Sequence, residues 1–330
     1  MLKVLLVAML AGATVTAGPL PAVHSHDHGT ADALGPGARL QANGLYRVTL
    51  PDGHVLTTHG PDPKSAMLDN HGTSLGPEDP ERNTVCATDN YMHVLYGYPS
   101  LLQQSRMSSV VAEIRAHTRR MNAVLHEAAM ESGGVSADYK VLCDESGEIK
   151  VDEFVTSPPV PEFSFIVAAA RRAGFTDPNV DYVIYYDGNF PGICGVAELR
   201  DDDRLSENNR NNSGGYGVTY EDCWFSRTPM HENGHTQGAV QAGAPNEDGT
   251  GHCTEQFDIM CYPSSNRVCP DLQAFDCGYD TYFDAAPEPG EWLSNHWNIG
   301  SRLNRYIAFG DAVTQQARKP KKKRRPPKRR

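Results

Sequence analysis

Apolar positions recur at helical spacing from residue 101 to about residue 131, putting Val110, Ile114, Met121, Val124, Leu125 and Ala128 on one side, and Gly133-Gly134 stops the run. A strand, NYMHVLYGYPS, precedes it. Two short strands, YKVLC and EIKVDEF, follow around a Ser146-Gly147 turn. FSFIVAAARRAG then reads as a second helix closed by Gly174, and VDYVIYYDG as a buried strand of β-branched and aromatic residues. GVAEL and GYGVTY are two more strands, separated by the polar loop RDDDRLSENNRNNSGG. This order predicts an α/β fold, a sheet with helices packed on it. Upstream, YRVTLPDGHVLTTHG alternates like a hairpin turning at Pro51-Asp52-Gly53, and the Pro-, Gly- and Asp-rich stretch 61–80 marks a boundary.

Composition adds a compartment. Lys3 and the apolar run 5–17, ending in Val15-Thr16-Ala17, read as a signal peptide over residues 1–17, too short to remain as a membrane span. The expected location is therefore secreted. Eight cysteines in an exported chain favour four disulfides; Cys86 with Cys143 and Cys194 with Cys223 are the expected first pairs, the pairing of the last four staying open. The chain carries a net charge of −11, but residues 318–330 hold ten basic residues and no acidic one, leaving 20 basic against 41 acidic elsewhere. So acidic a body repels nucleic acid, and none is expected as a partner. The basic tail is suited to electrostatic attachment to anionic cell-surface polymer. His24, His26 and His28 lie in a Gly- and Ala-rich stretch that reads as solvated linker, and Asp201-Asp202-Asp203 as a solvated loop without the glycine-punctuated spacing of a calcium loop.

The chemistry concentrates in HENGHTQGAVQ, residues 231–241. Thr228-Pro229 is a helix start with Thr228 as the cap, so His231 and His235, four apart, project from one face and can share an ion, with Glu232 beside its open position. Asn233 and Gly234 are poor helix formers, which points to a site where backbone must approach closely. Gly238 can take a left-handed turn and swing the chain back toward the metal. Asp258-Ile259-Met260-Cys261-Tyr262 lies downstream.

HENGHTQGAVQ with DIMCY resembles the metzincin metallopeptidases, whose signature is H-E-x-x-H-x-x-G-x-x-H followed by a methionine turn. The resemblance spans about residues 86–310. It implies a zincin-like mixed sheet with two long helices, an active-site helix and a compact disulfide-rich C-terminal subdomain, over a catalytic domain of residues 81–317. It implies Zn2+ on His231 and His235, Glu232 as general base, Gly238 as the turn glycine, Met260 beneath the metal, and Tyr262 at the metal or oxyanion. It implies GVAEL as the edge strand along which an extended peptide substrate lies.

One position departs from the signature. Gln241 stands where the family has a histidine, or an aspartate in the small secreted branch that this chain resembles most, and a neutral amide is a weaker zinc ligand. His252, just before Cys253, is the alternative third ligand, favoured by chemistry as Gln241 is by spacing. The expected activity is a secreted zinc endopeptidase; a metzincin-like protein that binds zinc or peptide without turnover is the alternative. Trp292, Leu293, Trp297 and Ile299 predict a short helix under the site, with His296 as a packing or capping residue. Residues 18–80 read as a linker or propeptide carrying the hairpin, and no cysteine or aspartate there stands out as a metal-blocking group.

Overall fold

The computed structural model describes residues 31–68, 75–76, 84–101, 104–263, 267–270 and 274–310. The signal peptide, His24, His26, His28 and the basic tail lie outside these residues. In chain order the elements are β1 (Ala38–Leu40), β2 (Tyr46–Thr49), β3 (Val55–Thr58), β4 (Asp62–Pro63), the single turn α1 (Lys64–Met67), β5 (Val85–Cys86), β6 (Tyr91–Pro99), α2 (Met107–Gly133), β7 (Ala137–Val141), β8 (Val151–Thr156), α3 (Phe163–Arg172), β9 (Val180–Tyr186), β10 (Ile193–Ala197), β11 (Tyr216–Tyr220), α4 (Thr228–Thr236), β12 (Glu255–Gln256), β13 (Arg267–Val268) and β14 (Ile307–Phe309). Among the described residues no helix is long and apolar enough to cross a membrane.

The main sheet is mixed. β8, β6, β9 and β11 run parallel to their neighbours, β10 then joins β11 antiparallel, and β4 joins β10 antiparallel at the far side. Every residue of β9, β10 and β11 is buried, the pattern of strands covered on both faces. One apolar core lies on the α2 side, built from residues such as Ile114, Met121, Leu125, Val94 and Met260; a second surrounds α3, with Phe163, Ile166, Val167 and Ile184. α2 ends as expected, Gly134 taking the left-handed cap at φ 63°, but it starts at Met107, where Ser105 Oγ accepts from the Met107 N–H. Of the two long helices expected, one has 27 residues and the other, α3, only ten. The expected helix under the site is a 3-10 turn, Trp292–Ser294, where Trp292 stacks on His296 and the His296 ring pairs with Asp203.

Two features differ from the sequence pattern in ways that bear on function. GVAEL was expected at the edge of the sheet, but β10 is covered there by β4, whose two residues pair Asp62 with Gly195 and Pro63 with Ile193. A two-residue strand containing proline carries no periodicity that a sequence can display. The N-terminal hairpin β1–β2–β3 is also docked into the α3 core through Leu34, Val48, Leu50 and Leu56, all at most 2% exposed. Each such side chain contributes about 1.5–3 kcal/mol of gross burial energy, so residues 34–56 are firmly held. Four disulfides brace the fold: Cys86–Cys143 and Cys194–Cys223, and in the C-terminal part Cys253–Cys261 and Cys269–Cys277.

Candidate metal centre

α4 carries His231, Glu232 and His235, all fully buried. It starts one residue earlier than expected: Thr228, the expected cap, is already helical, Arg227 holds the cap position, and Ser226 Oγ accepts from the Thr228 N–H. Pro229 fills the first turn, where a missing N–H is harmless. The helix stops at Gly238, φ +78°, whose N–H reaches the His235 carbonyl while the Ala239 N–H returns to Gly234. Gly234 is required by the methionine turn: a Cβ there would stand 2.5 Å from Met260 Sδ. Gly195 on β10 makes the matching allowance for Glu232, since a Cβ would stand 2.6 Å from the Glu232 carboxyl carbon.

The two imidazoles of α4 turn toward each other, Nε2 to Nε2, at 3.0 Å. Two nitrogens on one tetrahedral zinc, each at 2.0–2.1 Å, stand about 3.3 Å apart, so the spacing suits a shared ion. His231 Nδ1 lies 2.7 Å from the Ile259 carbonyl, a hydrogen bond that places the proton on Nδ1 and leaves Nε2 as the donor to metal. His252 faces the pair from the loop before the methionine turn, its ring stacked at 5.3 Å from His231 and edge-on at 4.9 Å from His235. Asp248 Oδ1 accepts from the His252 N–H, and Cys253–Cys261 ties the loop to the turn. Gln241 is engaged elsewhere. Its amide nitrogen donates to the carbonyls of Arg200 and Gly238, at 3.2 and 2.9 Å, while its oxygen is buried without a hydrogen-bond partner. Met260 is packed under α4, its N–H donating to Asp258 Oδ1. Tyr262 stacks on His252 at 4.1 Å. Asp202, from the acidic loop, is bound by Arg204 and by the Arg210 N–H and holds no cation cradle of its own.

Two residues absent from the sequence expectations complete the cluster. Asp62 Oδ1 lies 3.0 Å from His252 Nε2 and 3.3 Å from His231 Nε2, and it accepts from the Tyr262 hydroxyl at 2.6 Å. His59 stacks on His235 at 3.7 Å, with its Nε2 3.9 Å from Glu232 Oε2. His59, Asp62, His235 and His252 offer ligand atoms that all lie within 4.8 Å of one another. Asp62 and His252 are 190 residues apart, and no spacing rule joins them.

The electrostatics suit a cation. Burial raises the Asp62 carboxyl, but the facing His231 and His59 rings outweigh it and hold the group well below its ordinary value. Burial lowers His231, against the opposing Asp62 carboxylate, and His235, the latter further through its neighbours His59 and His231. Burial, then the Asp62 charge, pushes the Glu232 carboxyl well up.

No protein-family model and no curated protein matches the sequence. Two solved structures resemble the fold at low scores. One is OgpA from Akkermansia muciniphila, at 9% identity over 64% of this chain and 69% of that one, TM-score 0.31. The other is metalloproteinase-II from Bacteroides fragilis, at 12% identity over 71% and 74%, TM-score 0.26. Neither likeness adds to what the geometry supports.

Proposed function

We propose that this is a secreted zinc endopeptidase held latent by its own residues 57–67, with His231, His235 and His252 as the zinc ligands. The observation that carries the reading is the convergence of imidazole nitrogens on one point: His231 Nε2 lies 3.0 Å from His235 Nε2, and His231 and His252 both approach Asp62 Oδ1. Three imidazoles and one carboxylate make a normal zinc donor set. The third ligand role is given to His252 and not to Gln241, which the signature spacing favours, because the His252 ring meets the His231 and His235 rings, whereas the Gln241 amide nitrogen is held by the Arg200 and Gly238 carbonyls.

A zinc ion there would lower the pKa of a bound water and polarise a carbonyl. The chain's own groups supply the rest. Glu232, buried beside the cluster and given room by Gly195, is placed to take a proton from the attacking water and pass it to the leaving amine. Tyr262 donates to the oxygen that occupies the Asp62 position; with Asp62 withdrawn, the same hydroxyl is placed to donate to the oxygen of a reacting carbonyl. Met260 and Cys253–Cys261 fix the ligands from below and from the side.

Residues 57–67 lie where an extended substrate is expected, on the outer side of β10. Leu199 N–H donates to Thr57 O, and Lys64 N–H donates to Gly192 O. Withdrawal of Asp62 would therefore open both the metal and the strand edge. The test is casein cleavage by the Asp62→Ala protein beside an Asp62→Ala, Glu232→Ala double variant. The reading expects at least a tenfold gain over the parent in the first and its loss in the second. Equal cleavage with and without Glu232 refutes it. The closed shell that Asp62 and His59 complete also favours a second reading, a zinc-binding protein without turnover, which a metal-loaded but inactive Asp62→Ala protein would support.

A further inference from the structure

Beyond Asp62, the strap places two side chains in built positions on the catalytic domain. Met67 is 1% exposed, enclosed together with Ala66 by the Cys194–Cys223 disulfide and Tyr262, all residues outside the strap. The Ala66 carbonyl accepts from Arg227 Nη2 at 2.8 Å, and the same guanidinium donates to the Asp258 and Cys261 carbonyls of the methionine turn. Lys64 pairs with Asp222 at the rim, where the Asp222 carboxyl is half exposed. The sequence of contacts along β10 is ordered: Thr58 beside Glu198, Asp62 at the metal, then Lys64 and Met67.

We infer that the positions of Lys64 and Met67 are substrate subsites. The inference rests on the latency reading. A chain that replaces the strap meets the same backbone groups, Leu199 N–H and Gly192 C=O, and the same Arg227 donor, so it lies in the same sense. Its side chains C-terminal to the cleaved bond then face what Lys64 and Met67 face. The disulfide and the Tyr262 ring form an apolar pocket suited to a long side chain unbranched at Cβ, and Asp222 supplies one negative charge at its mouth. The substrate class is thus a polypeptide with methionine or leucine on the C-terminal side of the scissile bond and a basic residue between the two. An aspartate or a β-branched residue in the pocket is disfavoured, the first by desolvation of its charge and the second by shape.

The experiment is cleavage-site profiling of a denatured protein mixture by mass spectrometry, using the full-length Asp62→Ala, Lys64→Ala, Met67→Ala protein, whose strap no longer fills either subsite, and the same protein with Asp222→Lys. Asp222 is half exposed and pairs with Lys64 and Asn189, not with any proposed ligand, so its reversal leaves the ligands intact. The expected result is at least fivefold enrichment of Met and Leu over Val, Ile and Asp on the C-terminal side. Lys and Arg enrichment in the intervening positions should convert to Asp and Glu enrichment in the Asp222→Lys protein. Cleavage without these preferences, or a charge preference unmoved by the reversal, overturns the inference while leaving latency standing. No cleavage by either protein overturns the latency reading and the inference with it.

Discussion

Replacing Gly195 by alanine isolates the role of Glu232 without touching any ligand. The added Cβ would stand 2.6 Å from the Glu232 carboxyl carbon and 2.9 Å from its Cγ. Carbon atoms rest at about 3.5–4.0 Å, so the carboxylate must retreat by about 1 Å. A displacement of that size in a group that must meet a reacting proton costs on the order of 10²-fold in kcat. The three atoms nearest this Cβ all belong to Glu232 and none to His231, His235 or His252, so metal content should be unchanged. The assay is casein turnover by Asp62→Ala with and without Gly195→Ala, alongside zinc analysis of both proteins. Turnover within threefold of the parent would refute the placement of Glu232 as the base. Parallel loss of zinc would show that the substitution acts through the fold and would refute the separation of base from ligands.

Other consequences follow from the supports of the site. Cys253→Ser with Cys261→Ser removes the tie that holds His252 against the methionine turn, and zinc affinity by chelator competition should fall about 10–100-fold, as for other groups that orient ligands. Asp181, fully buried, has its carboxyl pushed up to about 8 from 3.8 by burial, against the opposing charge of Arg200 and the Gly215 N–H. The folded protein therefore binds a proton that the unfolded chain has released between pH 3.8 and 8, so this group costs stability progressively as pH rises through that window. Asp181→Asn should leave stability unchanged near pH 4 and raise it by a few kcal/mol at pH 8, read as a widening Tm gap between pH 4 and 8. A constant gap across that range would count against a buried, protonated Asp181.

Part of the candidate cluster was legible because its pattern is local. His231 and His235 four apart, Gly238 after them and Met260 in DIMCY are short-range patterns, and the structure gives each a steric or hydrogen-bonding reason. The choice between Gln241 and His252 was not legible, because spacing and ligand chemistry pointed to different residues. What decides the present assignment is where the side chains turn: the Gln241 amide onto backbone carbonyls, His252 onto the imidazole pair. Asp62 and His59 escaped for a different reason. Asp62 sits in the Pro-, Gly- and Asp-rich stretch 61–80 that has the composition of a boundary, His59 at the end of the hairpin stretch, and they meet the imidazoles only when β4 pairs with β10 across more than a hundred residues. The same pairing removed the edge that GVAEL was expected to offer. Periodicity reported that β10 is buried and was silent about which strand lies beside it.

The central claim is that one divalent ion is held by His231, His235 and His252. Zinc analysis of the purified protein and of two single variants, Gln241→Ala and His252→Ala, tests it most directly. The account predicts close to one zinc per chain in the parent and in Gln241→Ala, and a large loss in His252→Ala. Zinc lost on replacing Gln241 and kept on replacing His252, or a parent protein free of metal, would contradict it.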